Sequence, residues 1–131
     1  MATLVAILSS GKGTWARVSN LIKAAKWDNV YLLCNEFAYS NFDIHPSKAL
    51  KLKFDEKNVD KSLRVLSDFF KKQVKDFEVA VNLSSGTGEE HMLILSAVLK
   101  SGLGVRFVRV VGNEVKEYEL LDEKFDMKDD F

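Results

Sequence analysis

One cysteine, one proline and two histidines in 131 residues remove several classes of protein at once. The lone thiol, Cys34, cannot close an intramolecular disulfide, so a disulfide-stapled secreted scaffold is excluded and a reducing, intracellular setting is expected. With only His45 and His91, a histidine-rich metal site is not expected, and no metal or cofactor is called for. Seven glycines beside the single proline are too few for collagen-like or low-complexity chains. Neither sign of charge is in excess: 19 Lys+Arg stand against 19 Asp+Glu, which leaves no bulk basic surface for duplex nucleic acid. No apolar run approaches the roughly 20 residues of a membrane-spanning helix. Leu4–Leu8 is apolar, but no basic region precedes it as in a signal peptide. A cytoplasmic chain without membrane contact is the expectation.

What is present is the composition of one globular domain, 47% hydrophobic and 29% charged, long enough to bury a core without staples. The domain is expected over residues 1–121, followed by an acidic tail at 122–131. Charge is unevenly spread. Residues 1–53 hold seven Lys or Arg against three acids, whereas the stretch from Glu114 onward holds eight acids and three lysines. A solvated acidic end explains the latter.

Leu4–Leu8 reads as a strand covered on both faces, followed by the loop Ser9-Ser10-Gly11-Lys12-Gly13. Trp15, Val18, Ile22 and Ala25 then recur at helical spacing. Val30–Leu33 is a second buried strand. Residues 36–46 read as irregular, with His45 kept out of helix by Pro46. Leu50, Leu52 and Phe54 alternate with lysines as a third, more exposed strand. Val59, Leu63, Leu66, Phe70, Val74 and Phe77 form the stripe of a long amphipathic helix. Val79–Leu83 is a fourth strand, closed by Ser84-Ser85-Gly86-Thr87-Gly88, and Met92–Leu99 is helical. Val105–Val111 and Val115–Leu121 flank Gly112-Asn113, a hairpin signal.

Strand and helix alternate, so the expected fold is α/β: a Rossmann-like three-layer sandwich around a mostly parallel six-stranded sheet with an antiparallel edge strand. Right-handed crossovers order the strands 3-2-1-4-5-6. The first and fourth strands then lie side by side at the switch point where such sheets bind ligands. The two glycine-bearing loops follow those two strands, so topology brings them together.

The first loop opens a helix whose first turn lacks a carboxylate. Backbone amides, a positive helix end, hydroxyl side chains and Lys12 suit a phosphate; a plain strand-to-helix turn capped by Thr14, with Lys12 solvated, fits the same residues. Gly11-Lys12-Gly13-Thr14 is not a Walker A loop: its first glycine would fall at Ala6, and the fourth strand ends in Asn82 instead of a magnesium-binding aspartate. The dinucleotide fingerprint is met only with Ala16 in third place, where alanine is tolerated, and without a persuasive ribose acid on the second strand, so it stays open as a weak match. In the second loop Thr87 and Glu90 have the spacing of a capping box, which leaves Glu89 and His91 unexplained. Two carboxylates at that helix start place a phosphate nearer Lys12, and a ribose or base near Glu89 and His91. His91 is either a proton carrier, given its near-neutral reference pKa, or a surface histidine. Cys34, at a buried strand end, reads as packing. The helix after Glu89 is apolar around nearly its whole circumference, so a second surface is expected on it, most simply a two-fold copy of the chain.

Ser10-Gly11-x-x-Thr14 after the first strand and Asn82-x-Ser84-x-Gly86-Thr87 after the fourth, with Met92 downstream, resemble the two ligand motifs of the CRISPR-associated Rossmann fold (CARF) domains. The resemblance covers about residues 3–121, the final hairpin strand included. It implies a homodimer that binds a cyclic oligoadenylate across its two-fold axis, over the carboxyl ends of the strands. Some family members only sense this ligand, and others, the ring nucleases, cleave it without a metal through its own 2′-hydroxyl. The chain departs from the pattern where many members carry a lysine or arginine after the second motif's threonine, since Gly88-Glu89 follows Thr87 here. A freestanding domain without a fused effector is the expectation on this resemblance. On this reading Ser10, Gly11, Lys12 and Thr14 hold phosphate, and Trp15 and Tyr39 are stacking surfaces. Ser9, Gly13, Ser84, Ser85, Gly86, Thr87 and Gly88 line the ligand, with Glu89 and His91 on ribose or base. Cleavage would call on Lys12 for the developing charge and His91 for the proton. The alternative from another class is a protein–protein interaction module, with the apolar helix and acidic tail docking a partner and both loops serving as turns. A mononucleotide enzyme, needing one subunit per site, is a third reading.

Overall fold

The computed structural model describes residues 2–9, 12–43 and 49–118. A six-stranded sheet runs β3-β2-β1-β4-β5-β6, with β1 Thr3–Leu8, β2 Asn29–Cys34, β3 Ala49–Lys53, β4 Glu78–Asn82, β5 Gly104–Val111 and β6 Glu114–Glu117. The first five strands are parallel, and β6 pairs antiparallel with β5. This is the Rossmann-like α/β architecture and the strand order expected from right-handed crossovers.

All six residues of β1 are buried, because helices cover both faces of the sheet. Val5 and Ile7 enter one core with Phe70, Leu66, Leu93 and Ile94, which come from α3 (Val59–Gln73) and α4 (Gly88–Lys100). Leu4, Ala6 and Leu8 enter the other with Val18, Leu21 and Ile22 of α1 (Trp15–Ala24), which a short 3-10 turn at Lys12–Thr14 precedes. The strict alternation along β1 is the two-residue period of a strand sorting its side chains between layers. A two-residue turn at Gly112-Asn113 closes the expected hairpin, with Gly112 at φ 63°, a conformation glycine takes without steric cost.

Four expectations need correction. Residues Glu36–Asn41, read as irregular, form a helix, α2. Its six residues are too few to show a hydrophobic period, and its start is fixed by Asn35, whose Oδ1 accepts from the Ala38 amide at 2.9 Å. The amphipathic stripe of α3 stops early. The helix ends at Gln73 as Val74 turns extended, so Phe77 lies outside it and is 94% exposed. Helix α4 begins at Gly88, a turn before Met92, and its apolar surface is mostly absorbed: Leu93, Ile94, Ala97 and Val98 are buried, while Met92 and Leu99 remain outward. The strands also run short of their expected ends, β3 at Lys53, β4 at Asn82 and β6 at Glu117. His45, Pro46, residues 119–121 and the acidic stretch 122–131 lie outside the described residues. No helix among the described residues is long and apolar enough to cross a membrane.

Candidate functional site

Parallel pairing sets β1 against β4, with Leu4 opposite Ala80 and Ala6 opposite Asn82. Their carboxyl ends therefore open on the same edge of the sheet, where the chain order reverses. The two loops meet there: the Ser9 amide donates to Ser85 Oγ at 3.4 Å, and both residues are buried. The Ser9 carbonyl accepts from the Trp15 indole N–H at 2.8 Å, which ties the start of α1 to the end of β1. Trp15 also packs against Phe37 and Phe42, ring centroids 5.8 and 5.5 Å away, so it is a half-buried wedge between α1 and α2. Thr14 occupies the N-cap place of α1 without a side-chain capping bond, and no acid stands in the first turn. Gly13 is exposed, and a Cβ there would meet nothing within 4 Å. Ser10, Gly11 and the Lys12 side chain lie outside the described residues.

The second loop is tightly hydrogen-bonded. Buried Asn82 ties it to the neighbouring strand: Nδ2 donates to the Val108 carbonyl at 2.9 Å and to Ser84 Oγ at 3.1 Å, and Oδ1 accepts from the Ser84 amide at 3.1 Å. Gly86 then turns at φ 104°, a conformation L side chains rarely adopt. The capping box forms as its spacing predicts, with Thr87 Oγ1 accepting from the Glu90 amide at 3.2 Å and Glu90 Oε1 from the Thr87 amide at 2.9 Å. Glu90 is buried, so its carboxylate belongs to the helix start. Glu89, Thr87 and Gly88 are exposed on the rim. His91 Nε2 lies 2.8 Å from the Ser85 carbonyl. A carbonyl only accepts, so Nε2–H donates and Nδ1 is the nitrogen left to exchange a proton.

The structure thus brings Ser9, Trp15, Ser85, Gly86 and His91 into one connected unit. Tyr39 is placed elsewhere: its ring sits with Lys51 and Lys53 of β3, whose ammonium groups are 5.3 and 5.5 Å from its centroid. Two arginines not singled out by sequence patterning, Arg17 and Arg109, line a cleft beside the second loop. The readable signal for Arg109 is a charge interrupting the apolar run Val105–Val111. Among the described residues no group of three His, Cys, Asp or Glu is arranged to hold a metal ion.

Cys34 is fully buried, and burial pushes its thiol up to about 12, with the Lys51 charge opposing. The folded state therefore holds the thiol proton more tightly than the unfolded chain, whose cysteine titrates near 8.5. This contribution to stability is complete below about pH 8 and is lost as pH rises from there toward the folded value. Urea unfolding of the wild type and Cys34→Ala at pH 8, 9.5 and 11 checks it. The wild type should lose stability relative to the variant by up to about 1.4 kcal/mol per pH unit above 9, and a pH-independent difference would refute the burial effect.

Compared with protein-family models, with curated proteins and with solved structures, the chain matches none.

Proposed function

We propose that the chain binds a cyclic oligoadenylate or a related nucleotide over the carboxyl ends of β1 and β4, as a homodimer with the ring on the two-fold axis. The observation that carries this reading is the meeting of the two loops through Ser9 and Ser85 at the switch point, beside a helix start with no acid in its first turn. Such a start favours an anion through the positive end of the helix dipole. The outward Met92 and Leu99 on α4 supply an apolar contact for the second copy.

Ring cleavage is the further step of the same reading. The ligand's 2′-oxygen would attack the adjacent phosphorus and the 5′-oxygen would leave, giving a linear product with a 2′,3′-cyclic phosphate. The 2′-hydroxyl gives up one proton and the leaving oxygen takes one. With Nε2 committed to Ser85, His91 would move a proton through Nδ1, and Lys12 would meet the charge developing on phosphate.

Calorimetric titration with cyclic tetra- and hexa-adenylate, then chromatography of the same sample, tests both steps. One ring bound per two chains is the expected result, and linear products would establish cleavage. The absence of heat with either ring at protein concentrations well above micromolar would overturn the reading. It would favour the interaction module, for which the outward Met92 and Leu99 are the supporting feature.

A further inference from the structure

Strand β5 outruns its neighbour. Its last pair with β4 is Val81 opposite Phe107, and it continues to Val111. A cleft of about 430 Å³ opens where the two strands part, lined by Arg17, Asn82, Ser84, Phe107, Arg109 and Tyr118 among others. That is within the roughly 300–1,000 Å³ of small-ligand sites. No carboxylate of the described residues lines it.

The two arginines of β5 contrast sharply. Arg106 is saturated: its guanidinium donates to both Glu117 oxygens, at 2.6 and 3.1 Å, and reaches Glu78 at 3.4 Å. Among the described residues Arg109 has no acid partner, and its buried Nε has no acceptor. Buried polar groups are nearly always paired, so an orphaned guanidinium nitrogen calls for a ligand. The Arg109 guanidinium lies 4.9 Å from the Tyr118 ring centroid, a cation–π contact that holds its planar fork in place while offering no acceptor. Exposed Arg17 adds a second cation from α1. Ser84, whose amide and hydroxyl are positioned by Asn82, adds a hydroxyl.

We propose that this cleft is a phosphate-binding site, with Arg109 and Arg17 as its cations and the Ser84 hydroxyl beside them. Arginine forks match phosphate oxygens through paired, charge-assisted hydrogen bonds. Cations contributed by two elements suit a tetrahedral anion better than a planar carboxylate. The site shares Ser84 and Asn82 with the second loop but does not depend on ring binding over β1 and β4.

The test follows the arginine Nε–Hε resonances of the full chain by NMR during titration with inorganic pyrophosphate and, separately, with ADP. Ionic strength is held constant with chloride, and acetate serves as the carboxylate control. A saturable shift of the Arg109 resonance, with affinity at least tenfold weaker in both Arg17→Gln and Arg109→Gln, is the expected result. ADP binding tighter than pyrophosphate would identify a nucleotide as the phosphate's source, and equal affinity a free phosphate. Arg17 is exposed, so its variant stays informative if Arg109→Gln impairs folding. Shifts that follow chloride or acetate equally, or affinities unchanged in a folded Arg17→Gln, would overturn the proposal. Contacts from Arg109 to residues 119–131 in the ligand-free protein would also overturn it, by assigning the cleft to the chain's own acidic end.

Discussion

Phe70→Ala is expected to destabilise the domain by about 3–5 kcal/mol, whereas Phe77→Ala, seven residues on, should stay within about 0.5 kcal/mol of wild type. Both phenylalanines belong to the same apolar stripe in the sequence. In the fold Phe70 is fully buried and Phe77 is 94% exposed. Phe70 packs edge-on to Tyr31 and Phe69, centroids 6.3 and 5.9 Å away, and joins the core that links α3 and α4 to the sheet. Its removal sacrifices both transfer free energy and the contacts around the cavity left behind. Phe77 lies past the end of α3, so its loss leaves no cavity. Urea unfolding of both variants separates the cases. Equal losses would mean that α3 continues through residue 77 and buries its last turn. A domain of this kind is stable by about 5–15 kcal/mol, so the Phe70 change removes a large fraction of the total.

That pair also marks how far the fold could be read from residues alone. Periodicity reports which positions are apolar at helical spacing. It does not report where the backbone leaves the helix, and Val74 leaves it with ψ 119°. The central strand was legible because a continuous apolar run, Leu4–Leu8, has no explanation in a sheet other than cover on both faces. Strand order was legible because crossover handedness leaves few alternatives, and from that order the meeting of Ser9 with Ser85 follows. The capping role of Glu90 was visible in its spacing from Thr87. Three features were not legible. Helix α2, at six residues, is too short to repeat the period of about 3.6 residues that would announce it. The bond from His91 Nε2 to the Ser85 carbonyl depends on how Gly86 turns. Arg109 shows in the sequence only as a charge in an apolar strand, and the parting of β4 from β5 is what places it in a cleft.

Gly86→Ala should cost about 2–4 kcal/mol, combining backbone strain of about 1–3 kcal/mol with crowding of about 1 kcal/mol. The site should be damaged with it. At φ 104° an alanine Cβ would lie 3.2 Å from Ile7 Cγ2, 3.3 Å from Glu90 Oε1 and 3.3 Å from His91 Nε2. Two of these atoms are already committed. Glu90 Oε1 accepts the Thr87 amide, and His91 Nε2 donates to the Ser85 carbonyl, so neither can retreat without opening a bond that shapes the loop. Two other glycines of the same region of chain serve as controls. Gly102 also has a positive φ, 90°, but open space around its missing Cβ. Its alanine variant should therefore show the strain without the crowding, about 1–3 kcal/mol and about 1 kcal/mol less than Gly86→Ala. Gly88, in the first turn of α4, has neither constraint, so Gly88→Ala should be neutral or slightly stabilising. The ordering Gly86 above Gly102 above Gly88 is read by denaturant unfolding. A Gly86→Ala variant as stable as Gly88→Ala would mean the second loop is not held as described. Where Gly86→Ala remains folded, its His91 ring resonances should shift relative to wild type while those of Gly102→Ala do not, because the displaced atom is the one that fixes the imidazole against Ser85.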